Sequence, residues 1–156
     1  MTTATCPLCR RPGAADPNLL WEDDRARVVL VDQSQAEHVF PGYCRVVWHD
    51  HVAEMTDLSP AERAHLMDIV WDVEASLRAV LAPTKINLAS FGNFVPHLHW
   101  HLIPRWQDDS HFPEAYWAAP PEKKEIAPPT LRAERLASAS RIRAELARRR
   151  SLAAGG

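Results

Sequence analysis

The fold of this chain is decided by residues 92 to 105, which read Gly92-Asn-Phe-Val-Pro-His-Leu-His-Trp-His-Leu-Ile-Pro-Arg105. Three histidines, His97, His99 and His101, alternate with apolar residues. Successive side chains of a β-strand point to opposite faces of the sheet. The alternation therefore predicts a strand that presents three imidazoles on one face and is anchored in the core by the other.

Three imidazoles on one strand face also predict a functional site. Same-face neighbours lie roughly 7 Å apart along a strand, so several rings can reach one phosphate-sized group or one metal ion. Near neutral pH histidine can act as a nucleophile, a proton carrier or a metal ligand. A single histidine on such a strand is most often only a half-exposed polar residue, but a row of three favours a site.

The triad stretch resembles the signature of the histidine-triad family, His-x-His-x-His followed by two apolar residues. The resemblance covers roughly residues 6 to 117, including Pro41-Gly-Tyr-Cys-Arg-Val-Val, Lys85-Ile-Asn-Leu and Cys6-Pro-Leu-Cys9. Members of this family are nucleotide-binding hydrolases and transferases that attack an α-phosphate through the middle histidine. The resemblance thus implies a small-molecule nucleotide as substrate and a homodimer formed by side-by-side sheets.

Composition and charge set limits on the class of protein. The chain has 156 residues, ordinary for one globular domain, and a formal net charge of −2, which does not argue for a nucleic-acid partner. The amino terminus shows no apolar signal segment, and no apolar run reaches membrane-spanning length. We therefore expect a cytoplasmic protein without a membrane partner.

Cys6 and Cys9 form a Cys-x-x-Cys pair that can supply two of the four ligands of a tetrahedral zinc ion. A redox pair is the alternative, but such pairs usually lie where a strand leads into a helix, whereas proline and glycine follow here. A thiol pair without metal is a third interpretation. In zinc-bearing members of the resembled family, two histidines complete the site, and the resemblance implies His51 and His97 for a structural zinc.

The resemblance also implies a role for each residue around the triad. It makes His99 the nucleophile and His101 a donor to a non-bridging oxygen, and it places Asn93 where members commonly carry glutamine. The resemblance further implies five nucleotide-binding residues: Leu8, Leu30, Asp32, Gln33 and Asn87. Among them, Asp32 would hold the ribose hydroxyls and Asn87 a phosphate oxygen. From the residues alone, Asp32 can equally be a strand-terminating carboxylate, and Asn87 can make a cross-strand hydrogen bond.

Three residues depart from the family pattern. Asn93 is shorter than the usual glutamine, Phe94 replaces a frequent hydroxyl residue, and Tyr43 stands where some members have another histidine. Two hypotheses therefore remain. One is a hydrolase that cleaves a nucleoside phosphoramidate or a dinucleoside polyphosphate at the α-phosphate through a nucleotidyl-histidine. The other is a zinc-stabilised nucleotide-binding or sensor module with little or no turnover.

The remaining sequence predicts an α+β fold, with a five-stranded antiparallel sheet, one main helix packed on it and a carboxyl-terminal helical extension. The first four strands are expected at residues 19–22, 25–31, 43–48 and 84–91, before the triad strand. Ser59-Pro-Ala-Glu62 predicts the start of the main helix through a capping box, and Pro83 ends its apolar stripe.

We predict a histidine-triad domain at residues 1–117, followed at 118–156 by a Pro-rich linker and a carboxyl-terminal helix. The aromatic segment from Trp106 to Trp117 is expected to fold back over the sheet, where it would line a substrate pocket or a dimer contact. A single helix is expected from Leu131 to Leu152. The arginines at its end, 148 to 150, either contact phosphate or simply occupy a solvated helix terminus.

Overall fold

The predicted strands pair into one antiparallel sheet in the computed structural model, which describes residues 2–33, 40–122 and 127–154. Its strand order is β1-β2-β3-β5-β4. The strands are β1 (Leu19–Glu22), β2 (Ala26–Leu30), β3 (Cys44–Trp48), β4 (Lys85–Ala89) and β5 (His99–Arg105). The α+β fold with five antiparallel strands is thus confirmed.

The strand β5 lies between β3 and β4, and its register gives the sheet two different faces. His101 is opposite Arg45 of β3 and Ala89 of β4. The next residue, Leu102, is opposite Cys44 and therefore belongs to the other face, where both side chains are fully buried. One face consequently carries the polar site residues, while the other forms the core.

The apolar face is covered by helix α1 (Pro60–Leu81), as the sequence predicts. Both hydrogen bonds of the capping box between Ser59 and Glu62 are present, and Pro60 occupies the first turn. At the carboxyl end, Ala82 adopts a left-handed conformation just before the proline that ends the helix. A stripe of α1 is completely buried against the sheet: Leu66, Ile69, Val70, Val73 and Leu77.

Gly42 allows the turn before β3 to pass directly against α1. Its φ is +75°, and a Cβ at this position would lie 2.5 Å from Cδ1 of Leu81. Any larger residue would therefore have to displace the Leu81 side chain and also adopt a strained backbone.

The carboxyl-terminal segment forms two helices rather than the single predicted one, α2 (Pro129–Leu136) and α3 (Ala139–Ala154). They are separated by a turn at Ala137 and Ser138, whose hydroxyl donates to the carbonyl of Arg135. Ile142 and Leu146 of α3 are completely buried in the same apolar cluster as α1 and the sheet. The extension is thus part of the main core.

The arginines of α3 make hydrogen bonds and ion pairs within the chain. Arg148 and Arg149 pair with Glu145 of the same helix, and Arg150 pairs with Asp72 of α1. These contacts favour the interpretation that the arginine run is a helix end rather than a phosphate-binding patch. Within the described ranges, none of the helices combines the length and apolar character needed to cross a membrane.

Candidate active site and metal cluster

The strand β5 begins at His99, so the expectation that all three histidines alternate along one strand is wrong for His97. His97 lies in the turn before the strand, and its ring is completely buried. The turn places this ring beside the amino-terminal cysteines, while His99 and His101 remain adjacent on the sheet with ring centroids 4.6 Å apart. The triad therefore divides into one residue for a metal cluster and two for a cavity.

The metal cluster is a candidate metal site that consists of Cys6, Cys9, His51 and His97, whose potential ligand atoms all lie within 4.8 Å of one another. His97 Nδ1 is 3.5 Å from the sulfur of each cysteine and 3.3 Å from His51 Nδ1, which is 3.3 Å from the Cys9 sulfur. Two thiols and two imidazoles from separated parts of the chain thus converge on one point.

These distances suit a tetrahedral zinc ion. With Zn–S near ~2.3 Å and Zn–N near ~2.0 Å, neighbouring ligand atoms in a tetrahedron lie roughly 3.3 to 3.8 Å apart. The tautomer of His97 suits a metal as well. Its Nε2 is 2.7 Å from the carbonyl oxygen of Trp48, which can only accept, so Nε2 carries the proton and the lone pair is on Nδ1.

His99 is held in the tautomer that a nucleophile requires. Its Nδ1 is 2.6 Å from the carbonyl oxygen of His97, so the proton is on Nδ1 and the lone pair is on Nε2. Burial lowers the pKa of His99, and the charge of Arg45 lowers it further, although the hydrogen bond to His97 acts in the opposite direction. The ring is therefore neutral at pH 7.

His101 is held by a different neighbour. Its Nδ1 forms a short hydrogen bond with the hydroxyl of Tyr43, and its Nε2 has no hydrogen-bond partner among the described residues. Burial lowers the pKa of His101 to about 3, with smaller contributions from the charges of His99 and Arg45. His101 is consequently a neutral ring near neutral pH, with one nitrogen held by Tyr43 and the other available.

A cavity of about 480 Å³ opens over the two histidines. Arg45, His99 and His101 contribute its polar part, and Leu8 and Asn93 belong to its lining. Aromatic rings complete it: Phe91 and Phe94 come from the chain between β4 and β5, and Tyr116 and Trp117 come from the segment after β5, which was expected to line a pocket. The cavity therefore combines a neutral histidine pair, one guanidinium and apolar walls.

Arg105, at the end of β5, fixes the segment that supplies Tyr116 and Trp117. Its buried guanidinium makes two hydrogen bonds to the carboxylate of Asp109, at 2.8 and 3.0 Å, and another to the carbonyl of Glu114. It also donates to Oδ1 of Asn87 at 3.0 Å. Asn87 thus makes a cross-strand hydrogen bond, which is one of the two roles expected for it from the sequence.

The other expected nucleotide-binding residues are not among those that line this cavity. Leu30 is opposite Cys44 and packs against the core cluster. The side chain of Gln33 donates to the carbonyl of Phe40 and accepts from its amide, so it ties the end of the second strand region to Phe40. Asp32 is exposed just after β2. Of the five expected residues, Leu8 is the one that lines the cavity.

Sequence reasoning missed Arg45 and Arg105. A signal for Arg45 existed, because Cys44, Val46 and Trp48 place the apolar face of the third strand, so Arg45 must face the other way. Its position beside His101 required the strand pairing, which the sequence does not give.

Comparison with known proteins identifies the family. The sequence profile of the HIT domain matches residues 13–108. The chain belongs to the histidine-triad family.

Among curated relatives, it is similar to AP-4-A phosphorylase of Mycobacterium tuberculosis, with 32% identity over 78 residues, which are 46% of this chain and 40% of the relative. It is also similar to bis(5′-nucleosyl)-tetraphosphatase (asymmetrical) of Schizosaccharomyces pombe, with 30% identity over 76 residues, covering 46% and 42%. The matches thus span less than half the length of these relatives.

Solved structures of histidine-triad proteins share the fold. A histidine-triad protein from Bradyrhizobium japonicum superposes with a TM-score of 0.64 at 20% identity, covering 88% of this chain and 97% of that one. A zinc-bound family member from Mycobacterium smegmatis gives a TM-score of 0.59 at 19% identity, covering 97% and 99%. The second comparison includes the carboxyl-terminal helices, so this family fold accommodates the extension.

Proposed function

We propose that this protein is a nucleotide hydrolase or transferase that cleaves its substrate at the α-phosphate, with His99 as nucleophile. The observation that carries the proposal is the fixed tautomer of a neutral His99, whose Nδ1 donates to the His97 carbonyl and whose Nε2 is left for the cavity. The names of the two curated relatives, which refer to dinucleoside tetraphosphates, support a substrate with such a phosphate chain.

The reaction would proceed in two displacements. The lone pair of His99 Nε2 attacks the α-phosphorus, a P–N bond forms, and the bond from phosphorus to the leaving group breaks with its electron pair. Water then attacks the same phosphorus, the P–N bond breaks, and the nucleoside monophosphate and one proton are released. The carbonyl of His97 accepts from Nδ1 throughout, so it stabilises the positive charge that develops on the ring.

His101 and Asn93 would stabilise the phosphoryl oxygens. When the Tyr43 hydroxyl donates to Nδ1 of His101, the proton of that ring is on Nε2, where it can be donated to a non-bridging oxygen. Asn93 lines the same cavity and offers an amide donor. For the nucleoside itself, the family resemblance still suggests Asp32 at the ribose and Leu8, Leu30 and Gln33 near the base.

We also propose that Cys6, Cys9, His51 and His97 bind a structural zinc ion. The distances and the His97 tautomer support this, as does the zinc-bound relative with the same fold. The metal would tie the amino-terminal segment to the turn before β5. The same turn carries the carbonyl that orients His99, so the metal would act on the site through the position of His97.

The test is rapid acid quench with diadenosine tetraphosphate labelled at the α-phosphates and with labelled adenosine 5′-phosphoramidate. Label should be trapped on the wild-type protein with at least one of them, and none on His99→Ala. The His99→Ala protein should still bind AMP, because the ring supplies chemistry more than affinity. His49→Ala serves as the matched control, since this ring contacts the Asp24 carbonyl and is not part of the cavity lining.

Turnover of either substrate by His99→Ala at a rate near that of the wild type would overturn the mechanism. AMP binding by a wild-type protein that cleaves neither substrate would instead support the nucleotide-binding module.

A further inference from the structure

Arg45 is a cation in the cavity, and the two displacements proposed for His99 assign it no role. It lies on β3 directly opposite His101 and lines the cavity with both site histidines. Its charge is close enough to lower the pKa of His99 and of His101. Arg45 is therefore part of the site rather than of the outer surface.

The guanidinium of Arg45 has no carboxylate partner among the residues that the structure describes. Its Nε is buried and has no hydrogen-bond partner in that part of the chain. Its Cζ lies 5.9 Å from the centroid of the Tyr43 ring. Arg105 and Arg150, by contrast, pair with the carboxylates of Asp109 and Asp72. A cation beside a cavity that has no carboxylate partner in the described part of the chain is poised for an anionic ligand.

We propose that Arg45 binds the phosphate of the leaving group, and that it thereby selects phosphoanhydride substrates over phosphoramidates with an uncharged amine. This inference rests on the proposed function, because it places the α-phosphate at His99. It adds to that function a residue that determines which chemical class of leaving group the site prefers.

The register of β3 and β5 supports the placement of Arg45 on the leaving-group side of the α-phosphate. His99 is opposite Val47, whereas Arg45 is opposite His101, one same-face step further along the strands, or roughly 7 Å. A nucleophile in a near-attack position lies only about 3 to 3.5 Å from the atom it attacks. The ring of His101 lies 4.6 Å from that of His99 and takes an oxygen of the α-phosphate, whereas Arg45 enters the cavity from the neighbouring strand β3 and is thus placed for the next phosphate of the chain.

The charge of Arg45 also fits the needs of that leaving group. When a phosphoanhydride bond breaks, negative charge develops on the departing phosphate, and a fixed guanidinium can form two parallel hydrogen bonds to it. A departing amine needs a proton instead and gains nothing from a nearby cation. Arg45 should consequently discriminate between two substrates that share the same AMP half.

The first experiment compares Arg45→Gln with the wild type on diadenosine tetraphosphate and on adenosine 5′-phosphoramidate. We expect kcat/KM for the tetraphosphate to fall by about 30-fold or more, as for a lost charged hydrogen bond, with less than about a 3-fold change for the phosphoramidate. Arg45→Lys should restore part of the lost rate, because lysine keeps the positive charge but cannot form the two parallel hydrogen bonds of a guanidinium. Arg78→Gln, the same change at an exposed arginine of α1, is the matched control and should leave both rates unaltered.

A second experiment needs no turnover. In the His99→Ala background, ADP should bind about 10-fold or more tightly than AMP, and Arg45→Gln should remove this difference while AMP binding persists, which also shows that the variant is folded. Equal losses for both substrates, or for both nucleotides, would overturn the proposal and place Arg45 at the α-phosphate. An ADP preference that survives Arg45→Gln would overturn it as well. Because binding is measured without His99, a failure of the proposed catalytic mechanism would not be confused with a failure of the Arg45 assignment.

Discussion

His99 and His101 are two residues apart on one strand, yet their neighbours make them chemically different. The Nδ1 of His99 meets a backbone carbonyl, which can only accept, whereas the Nδ1 of His101 meets the hydroxyl of Tyr43, which can donate. Because both rings are kept neutral by burial, the difference lies in the location of the proton rather than in net charge. The carbonyl thus fixes the proton of His99 on Nδ1, whereas the Tyr43 hydroxyl allows the proton of His101 to be on Nε2.

Tyr43 should therefore act as a positioning residue for His101. Tyr43→Phe is expected to lower kcat by about 10-fold, the effect of one lost hydrogen bond, with little change in AMP binding. His101→Ala should lower kcat by roughly 10²- to 10³-fold, as for a lost oxyanion donor. In a double-mutant cycle, Tyr43→Phe should cost nothing further once His101 is alanine. Additive losses in the double variant would show that Tyr43 acts independently of His101.

At the scale of elements, the turn before β5 connects the metal cluster to the cavity. His97 directs its ring towards Cys6, Cys9 and His51, and its carbonyl accepts a hydrogen bond from Nδ1 of His99. One residue thus contributes to both sites with different atoms. Disorder of this turn should disturb the orientation of His99 even though His99 contributes no ligand atom to the cluster.

Loss of the metal should consequently reduce stability first and activity as a result. Wild-type protein should contain close to one zinc per chain, and Cys9→Ser should lose it together with several kcal/mol of unfolding free energy, since structural zinc contributes on the order of 10 kcal/mol in small domains. Metal analysis and thermal unfolding provide the measurement. Cys44→Ala is the control, because this buried thiol bonds to the Gly42 carbonyl and lies outside the cluster, so zinc content should be unchanged. Wild-type protein without zinc, and equally stable as Cys9→Ser, would exclude the metal site.

At the scale of the whole molecule, the carboxyl-terminal helix α3 is part of the main core. Ile142 and Leu146 are completely buried in the cluster formed by α1 and the sheet, and Arg143 donates to the carbonyls of Pro17 and Leu19 beside β1. The helix therefore covers α1 and one edge of the sheet, far along the sequence from either. Its contribution should be to global stability, since none of its residues lines the cavity.

Leu146→Ala should lower the unfolding free energy by about 2 to 5 kcal/mol, the usual range for a buried leucine. Leu152→Ala, on the same helix but 66% exposed, should change it by less than about 0.5 kcal/mol. Denaturant unfolding of both variants gives the comparison. Equal stability of the two variants would show that α3 does not dock as described.

The sequence by itself determined the features that depend on local pattern. Strand periodicity identified the triad strand and the apolar face of β3, and the capping box with Pro83 gave the limits of α1, because these signals act within a few residues. The Cys-x-x-Cys spacing likewise indicated a metal pair, and the family resemblance supplied the two histidines that converge on it. Such inferences need no knowledge of how distant segments meet.

Only the tertiary structure decided what depends on distant segments. It separated His97 from the strand by turning its ring towards Cys6 and Cys9, and it bound Asn87 to Arg105 across the sheet. It also divided the expected carboxyl-terminal helix in two so that Leu146 could reach the core. Most of all, it placed Arg45 opposite His101, because strand register and burial are set by the packing of the whole sheet and not by any short stretch of sequence.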